Sequence, residues 1–585
     1  MSLLILLNTI RYMRYQQILG QLRNRFRQRY EKMEEFNFGS IPSFPGCCWH
    51  HTSPFLPPGP QNNCAVDILR GRLSFLNNVQ DIGWPPKWDN QALPKLWQYN
   101  LHYFDYLWAL EWPHAKAVVL DWINHHKIQK DHIGWEPYPT ALRLMNWCTF
   151  FFAEHRKHTQ ADGDFIRNLW QSIFIQTEWL TKHLETHLLG NHLFENGAAL
   201  ALAGSCFSGS KAINWFKLGK GILANQLPEQ ILPDGLHYER SGMYHSRLIY
   251  VLCLLLNTQN AELRHLISDP LKKMLRSLKH IVHPDTNISL FNDSAFGIYN
   301  HPEQLICYST RLLGDISVAP NHWWGGAAVG LFALPDAGYY GARTEDGSYV
   351  ICDAGPIGPD YIPGHAHADI FSFELSIKGH RVIVDSGVHD YEIGPTRDYC
   401  RSTKAHNTVQ INGQDQCEMW GAFRVARRGR PHSIQWLPTE YGFQLGAWHD
   451  GYKRLKGRPI HHRQFNWHKS GGLSINDTIT ASCSQSAASR LHLHPDCSIN
   501  KLKDSSASIT YPAGEFEISF LGDGRLSVED SLYCPEFGRK FETKSLVYCA
   551  SGRDIKISFI ITPQQRQVVS LPQKFRDTHY LVSPK

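Results

Sequence analysis

The sequence predicts an α+β chain of several domains, an incomplete helical α/α toroid followed by an antiparallel β-sandwich. Three observations carry this reading. The 585 residues exceed what one ordinary core encloses, so roughly two or three domains are expected. From about 90 to 315, apolar residues recur at helical spacing between short polar loops. From about 336 onward, short alternating segments are separated by turn signals such as Glu345-Asp346-Gly347, Asn412-Gly413 and Asp523-Gly524.

Residues 1–85 read as a leader to these domains. Leu3-Leu4-Ile5-Leu6-Leu7 precedes Arg11, Arg14, Arg23, Arg25, Arg27 and Arg29. A secretory signal has the opposite order, and the apolar run is too short to cross a bilayer. The compartment therefore stays undecided between periplasm and cytoplasm. A basic amphipathic helix is expected, docked on the protein in preference to a membrane surface. Pro57-Pro58-Gly59-Pro60-Gln61-Asn62-Asn63 marks an extended wrap.

The segments Leu101–Leu110, Ala141–Glu154, Phe165–Leu184, Ala198–Ala203, Ala212–Gln226 and Arg247–Leu256 form the expected helices. Sequential helices with short connections pair antiparallel, and a ring of such pairs leaves a central cleft. Four polar-aromatic stretches are expected as loops lining that cleft. They are Trp97–Asp105, Trp135–Pro139 with Arg143, Gly190–Gly197 and Asp234–His245. Residues 316–335 are expected to connect the helices to the sandwich, which occupies 336–585.

At the junction lies Gly364-His365-Ala366-His367-Ala368-Asp369, followed by the alternating Ile370–Leu375. Alternation at period two predicts a half-buried strand, with His365 and His367 on one face. Asp385 ends the next apolar run and His406 opens a third. Adjacent strands would bring one of His365 and His367 together with Asp385 and His406, a His–Asp–His set suited to Zn²⁺.

Composition narrows the partners. The net charge of +6 carries no dense basic run of the kind nucleic acid requires. The 18 Trp and 24 Tyr suit a sugar-stacking groove or large aromatic cores equally. The 14 cysteines are scattered without a CxxC pair and read mostly as buried small hydrophobes.

In order and spacing, several motifs resemble the heparinase II/III family of polysaccharide lyases. They are Tyr99–Asp105, Gly190-Asn191-His192-Leu193-Phe194-Glu195, Asp234-Gly235 through Tyr244-His245, Gly364–Asp369, Val384-Asp385-Ser386-Gly387 and Arg401 through Val409. The resemblance spans about 90 to 480. It implies the toroid-plus-sandwich fold and β-elimination in an anionic, uronate-containing polysaccharide such as a glycosaminoglycan or alginate, leaving a 4,5-unsaturated end. That chemistry needs a carboxylate stabiliser, a base for the C5 proton and an acid for the C4 oxygen.

By resemblance Asn191 takes the first task, while Tyr244 and His365 share the proton transfers. Asn100, His102, Tyr138, Arg143, His192, Tyr238 and Arg401 are candidates for substrate binding, and Asn292-Asp293 have no assigned step. His367, Asp385 and His406 match positions that bind a structural metal in some members. No organic cofactor is implied. A uronyl C5-epimerase and a non-catalytic glycan-binding or exopolysaccharide-assembly protein are the alternatives.

Overall fold

A computed structural model describes residues 3–30, 41–49, 53–60, 62–128, 132–314 and 329–563. Part of the connection expected over 316–335 lies outside them; its described end already holds the strand Gly330–Leu334.

Two helices, Leu3–Ile10 and Tyr15–Tyr30, open the chain. A short helix, Ala65–Leu69, and the hairpin Arg72–Phe75/Asn78–Asp81 follow. The helical ring then runs from Lys95–Tyr103 to Pro302–Leu313. It includes three helices that the periodicity reading had not singled out, Trp112–His125, Ala261–His280 and Pro302–Leu313. Its centre is aromatic: Trp97, Trp122, Trp147 and Trp215 are fully buried. These tryptophans serve the core and do not line a sugar groove.

Helix Gly190–Cys206 packs between Pro137–Thr149 and Ser210–Gln230. Glycines set that approach. A Cβ on Gly204 would lie 2.4 Å from the backbone N of Phe216, and one on Gly219 would lie 2.4 Å from that of Ala201. Several stretches expected as loops are instead helix beginnings. Pro137 occupies the first turn of its helix, where its missing N–H costs nothing. Gly190 and Gly242 each start the helix that carries Asn191 or Tyr244.

Among the described residues the C-terminal part has two large antiparallel sheets and a small ribbon, Met419–Trp420 with Arg424–Val425. One has five strands in sequence order, Gly330–Leu334, Tyr339–Arg343, Tyr349–Asp353, Phe373–Ile377 and His380–Ile383. The ten-stranded sheet is built around the long pair Leu473–His492 and Arg539–Pro563. Side chains from both sheets, Phe373 and Leu375 with Phe465 and Ile475 among them, share one core.

Phe373–Ile377 corrects the half-buried expectation, since every residue in it is buried. Phe373, Leu375 and Ile377 face the sandwich core. The polar alternates face the toroid: His283 Nε2 meets Glu374 Oε2 at 2.9 Å and its Nδ1 meets Ser376 Oγ at 2.8 Å. The alternation is real, but the second face is covered by protein and not by water.

All fourteen cysteines are free, and seven are buried. Among the described residues no helix is long and apolar enough to cross a membrane.

Candidate active site and metal centre

The site forms where the starts of toroid helices meet loops of the sandwich. Its hub is Asp293, which is fully buried. Its Oδ2 accepts from His365 Nδ1 at 2.9 Å and from Arg397 Nη2 at 2.8 Å, and its Oδ1 meets His367 Nε2 at 2.9 Å. Burial alone would raise this carboxyl. The Arg397 guanidinium and the histidine hydrogen bonds outweigh it and hold Asp293 well below the usual carboxylate range. The backbone is fastened too: Asp293 N donates to His365 O at 3.0 Å, and His367 N donates to Asn292 Oδ1 at 3.0 Å. His365 and His367 thus converge on one carboxylate from a loop, not from a shared strand face.

An ionised Asp293 accepting from Nδ1 fixes the His365 tautomer and leaves the Nε2 lone pair free of that bond. That nitrogen is 3.7 Å from Glu239 Oε2. Burial raises the Glu239 carboxyl, and His365 and His192 partly offset this. Tyr244 stacks beside His365, ring centroids 4.1 Å apart, and its hydroxyl lies 3.0 Å from that of Tyr391. Burial, then Tyr391 and Tyr299, push the Tyr244 phenol well above its ordinary value. In this state Tyr244 holds its proton. Ser241 locks it to the hub: its hydroxyl accepts from Tyr244 N at 3.3 Å and donates to Asp293 O at 2.7 Å.

Across from these groups, the chain turns sharply through Leu189 (φ 65) and Gly190 (φ 59) into the next helix. A Cβ on Gly190 would lie 2.6 Å from Ile362 Cδ1 and 3.2 Å from Glu239 Oε1. Asn191 is in the first turn, where amide N–H groups and the helix dipole favour an anion. Its Nδ2 is 3.5 Å from Tyr138 Oη, and Tyr138 donates to Glu195 at 2.8 Å. Glu195 is held in turn by Arg247 through three contacts of 2.6–3.2 Å. His192 pairs with Glu185 at 2.9 Å. Burial opposes its charge, but Glu185, Glu195 and Glu239 together raise its pKa, favouring the cationic form.

Three expected substrate contacts, Arg143, Arg401 and His102, are buried in packing roles, while Asn100 stays half-buried. Arg143 is completely buried and gives its N–H groups to Gln176 Oε1, His102 O, Gly134 O and Thr140 Oγ1. Arg401 is buried and clamps the carbonyls of Ala366, Gly421 and Arg424. Both arginines hold backbone together. Asn100 donates to Leu96 O within its own helix. His102 is buried among Trp122, His126 and His132. The three histidines bring ligand atoms within 4.8 Å of one another. Yet His102 Nδ1 accepts from Trp122 Nε1, and His132 Nδ1 accepts from Gly134 N. Two of the three lone pairs are thus already used in packing, and only the third, at His126 Nε2, is without a partner. Tyr238 is buried, with its hydroxyl 3.5 Å from where a Gly190 Cβ would lie.

His367, Asp385 and His406 are all fully buried and offer ligand atoms within 4.8 Å of one another. His367 Nδ1 and His406 Nε2 have no hydrogen-bond partner, and neither do the two carboxylate oxygens of the nearby Asp369. Orphaned buried groups are costly, and a bound cation would satisfy them. Asp385 Oδ2 bonds His406 Nδ1 at 2.7 Å. Burial raises Asp369 to about 6, with His406 opposing it. Burial opposes charge on His406 also, but Asp385 and Asp369 raise it to about 9. The donors fit a divalent ion.

Glu239 lay inside the Asp234–His245 stretch without a task of its own, and Tyr391 and Arg397 carried no signal because their partners Tyr244 and Asp293 are 147 and 104 residues away.

The comparisons agree with this architecture. Residues 100–304 match the family model described as heparinase II/III N-terminus, and residues 327–570 match heparinase II/III-like, C-terminal. A heparin-sulfate lyase of Pedobacter heparinus is 24% identical over 383 residues, covering 58% of this chain and 55% of that protein. A heparin-sulfate lyase of Bacteroides stercoris is 26% identical over 459 residues, covering 66% of this chain and 63% of that protein. The chain therefore spans less than two thirds of the length of these relatives. A crystal structure of heparinase III has a TM-score of 0.68 at 17% identity, covering 83% of this chain and 80% of that one. A heparan sulfate lyase from Pedobacter heparinus has a TM-score of 0.59 at 18% identity, covering 85% and 82%. With helical and sandwich halves both matched in order, the chain belongs to the heparinase II/III family.

Proposed function

We propose that this protein is a polysaccharide lyase that cleaves a uronate-containing glycosaminoglycan by β-elimination. The observation that carries the reading is the arrangement of His365, oriented by Asp293, beside the protonated Tyr244. The names of the relatives, heparin-sulfate lyases, favour a heparan-type substrate.

The uronate carboxylate binds at the start of helix Gly190–Cys206, where the Asn191 amide and cationic His192 stabilise charge as the enolate develops. His365 Nε2 takes the C5 proton. Tyr244 donates its phenolic proton to the C4 oxygen as that bond breaks, and Tyr391 steadies the phenolate through its hydroxyl. Base and acid lie side by side, so the favoured elimination removes proton and leaving oxygen from one ring face. Glucuronate and mannuronate present them this way; their C5 epimers do not.

His367, Asp385 and His406, with Asp369 close by, would hold a divalent ion, and Zn²⁺ suits their nitrogen and oxygen donors. When bound, it would supply structural charge compensation beside the loop that carries His365. Metal analysis is expected to find about one equivalent per chain, lost in His406→Ala.

The test is to incubate the protein with heparan sulfate, hyaluronan, alginate and a bacterial exopolysaccharide and to follow ultraviolet absorbance of the C4–C5 double bond. A rise with a glucuronate polymer is expected. C5 deuterium uptake from heavy water with no chain cleavage would instead identify an epimerase. Binding with neither signal would identify a glycan-binding protein.

A further inference from the structure

The two N-terminal helices set small and uncharged polar residues against the protein and leave most of their large apolar residues facing out. Along Tyr15–Tyr30, the docked side is Gln17, Gly20 and Asn24. Gln17 Nε2 donates to Tyr361 O at 3.0 Å, Asn24 Nδ2 meets His187 Nε2 at 3.0 Å, and a Cβ on Gly20 would lie 2.8 Å from His187 Cβ. The opposite side carries Tyr15, Leu19 and Leu22, which are 70, 60 and 58% exposed. Leu3–Ile10 repeats the pattern. Thr9 is buried and accepts from Trp420 Nε1 at 3.0 Å, while Leu3, Leu4, Leu7 and Ile10 are 71, 56, 56 and 39% exposed. Scattered exposed leucines need no explanation, but an apolar stripe at i, i+4, i+7 on an outward face does.

Charge indicates what covers it. The first thirty residues hold six arginines and no aspartate or glutamate. At roughly 100° per residue, Arg23 and Arg25 lie about 80° to either side of the Tyr15 line, and thus flank the apolar stripe on both borders. Both are exposed. An apolar face bordered by arginines is the signature of a helix lying in the plane of a membrane surface, with leucines among acyl chains and guanidinium groups among anionic headgroups.

The anchoring contacts give the placement a use. Arg14 pairs with Glu229 at 2.5 Å and lies 3.7 Å above the Tyr361 ring, and Arg428 lies 4.0 Å from the Tyr12 ring. Tyr361 belongs to the loop that continues through Pro363-Gly364 into His365. The helices therefore bridge toroid and sandwich beside the site.

We infer that Leu3–Ile10 and Tyr15–Tyr30 form an interfacial anchor that holds this protein on an anionic lipid bilayer. The inference does not depend on the reaction catalysed. The full chain is to be sedimented with vesicles of phosphatidylcholine alone and of equal parts phosphatidylcholine and phosphatidylglycerol. The protein is expected to pellet with the anionic vesicles and to be released by salt. Leu19→Glu/Leu22→Glu is expected to weaken that binding by about ten-fold or more, with an unchanged Tm because both side chains already face water. Arg23→Glu/Arg25→Glu is expected to remove the preference for phosphatidylglycerol. A wild-type protein that stays in the supernatant with both vesicles overturns the inference, as does equal binding to phosphatidylcholine alone. A vesicle-inert protein that forms dimers, dissociated by Leu19→Glu/Leu22→Glu, also overturns it and assigns the stripe to a second copy of the chain.

Discussion

At the scale of single residues, the decisive feature is a carboxylate serving two histidines. Asp293 fixes the His365 tautomer and carries the countercharge of Arg397. Asp293→Asn removes that charge and misorients His365. Orienting carboxylates of this kind are worth up to roughly 10⁴-fold in turnover. It also leaves Arg397 as an uncompensated buried charge, a loss of about 3–5 kcal/mol. Turnover with denaturant unfolding measures both; a variant of wild-type stability and rate would refute the role.

The sequence shows why this centre was only partly legible. Asn191, Tyr244, His365 and the trio His367, Asp385 and His406 lie in short runs whose residue types announce chemistry. Asp293 was visible but without a task, because its partners are 72–104 residues away. Arg143 and His102 were placed in the cleft because neighbouring residues do not reveal whether a polar side chain turns into a core.

At the scale of elements, helix beginnings and buried struts hold the candidate site's residues in place. Gly190 must adopt a left-handed φ with no Cβ, so Gly190→Ala is expected to cost about 1–2 kcal/mol from the backbone alone. The clash with Ile362 adds to this and displaces Asn191. Its expected signature is a lower Tm with a raised KM.

A second element is the buried strut His461–Asp477–Arg463. Arg463 Nη1 donates to Phe371 O at 2.7 Å and to Asn407 O at 2.6 Å, bracing the segments next to Asp369 and His406. Arg463 Nε and Nη2 each meet Asp477 at 2.7 Å, and His461 Nε2 meets it at 2.8 Å. Asp477→Ala is expected to destabilise the protein by about 3–5 kcal/mol because it strands a buried guanidinium; chemical denaturation reads this directly. The strands were legible from their alternation and turn signals. The full burial of Phe373–Ile377 was not, because the toroid covers its Glu374 and Ser376 face, whose composition reads as solvent-exposed.

At the scale of the whole molecule, the helical and sheet halves share an apolar core that takes in Phe332, Tyr349 and Ile351 of the five-stranded sheet, and polar contacts pin the seam. Tyr349 Oη donates to His280 O at 2.6 Å, Arg240 Nε to Ala337 O at 2.8 Å, and Arg381 Nε to Asp285 Oδ2 at 2.7 Å. Burial would raise Asp285, but Arg381 outweighs it and lowers the carboxyl to about 2. The folded value lies below the unfolded value of about 3.9, so the unfolded chain binds more protons across the interval. The stabilisation is complete above about pH 4 and is lost as pH falls through about 2. Acid unfolding of the wild type is expected to steepen in that window, and Asp285→Asn is expected to be less stable at neutral pH and flatter there. The helices-then-strands order was legible in the sequence. The seam was not, because its bonds join residues far apart in the chain.

The central claim is that Tyr244 delivers the proton to the leaving oxygen. The most direct measurement compares wild type and Tyr244→Phe for ultraviolet-absorbing product on the polymer that the wild type cleaves, with Tm recorded for both. The account predicts loss of the product with little change in Tm, since the substitution removes one hydroxyl bonded to Tyr391. A folded Tyr244→Phe protein that makes the unsaturated product at the wild-type rate would contradict it.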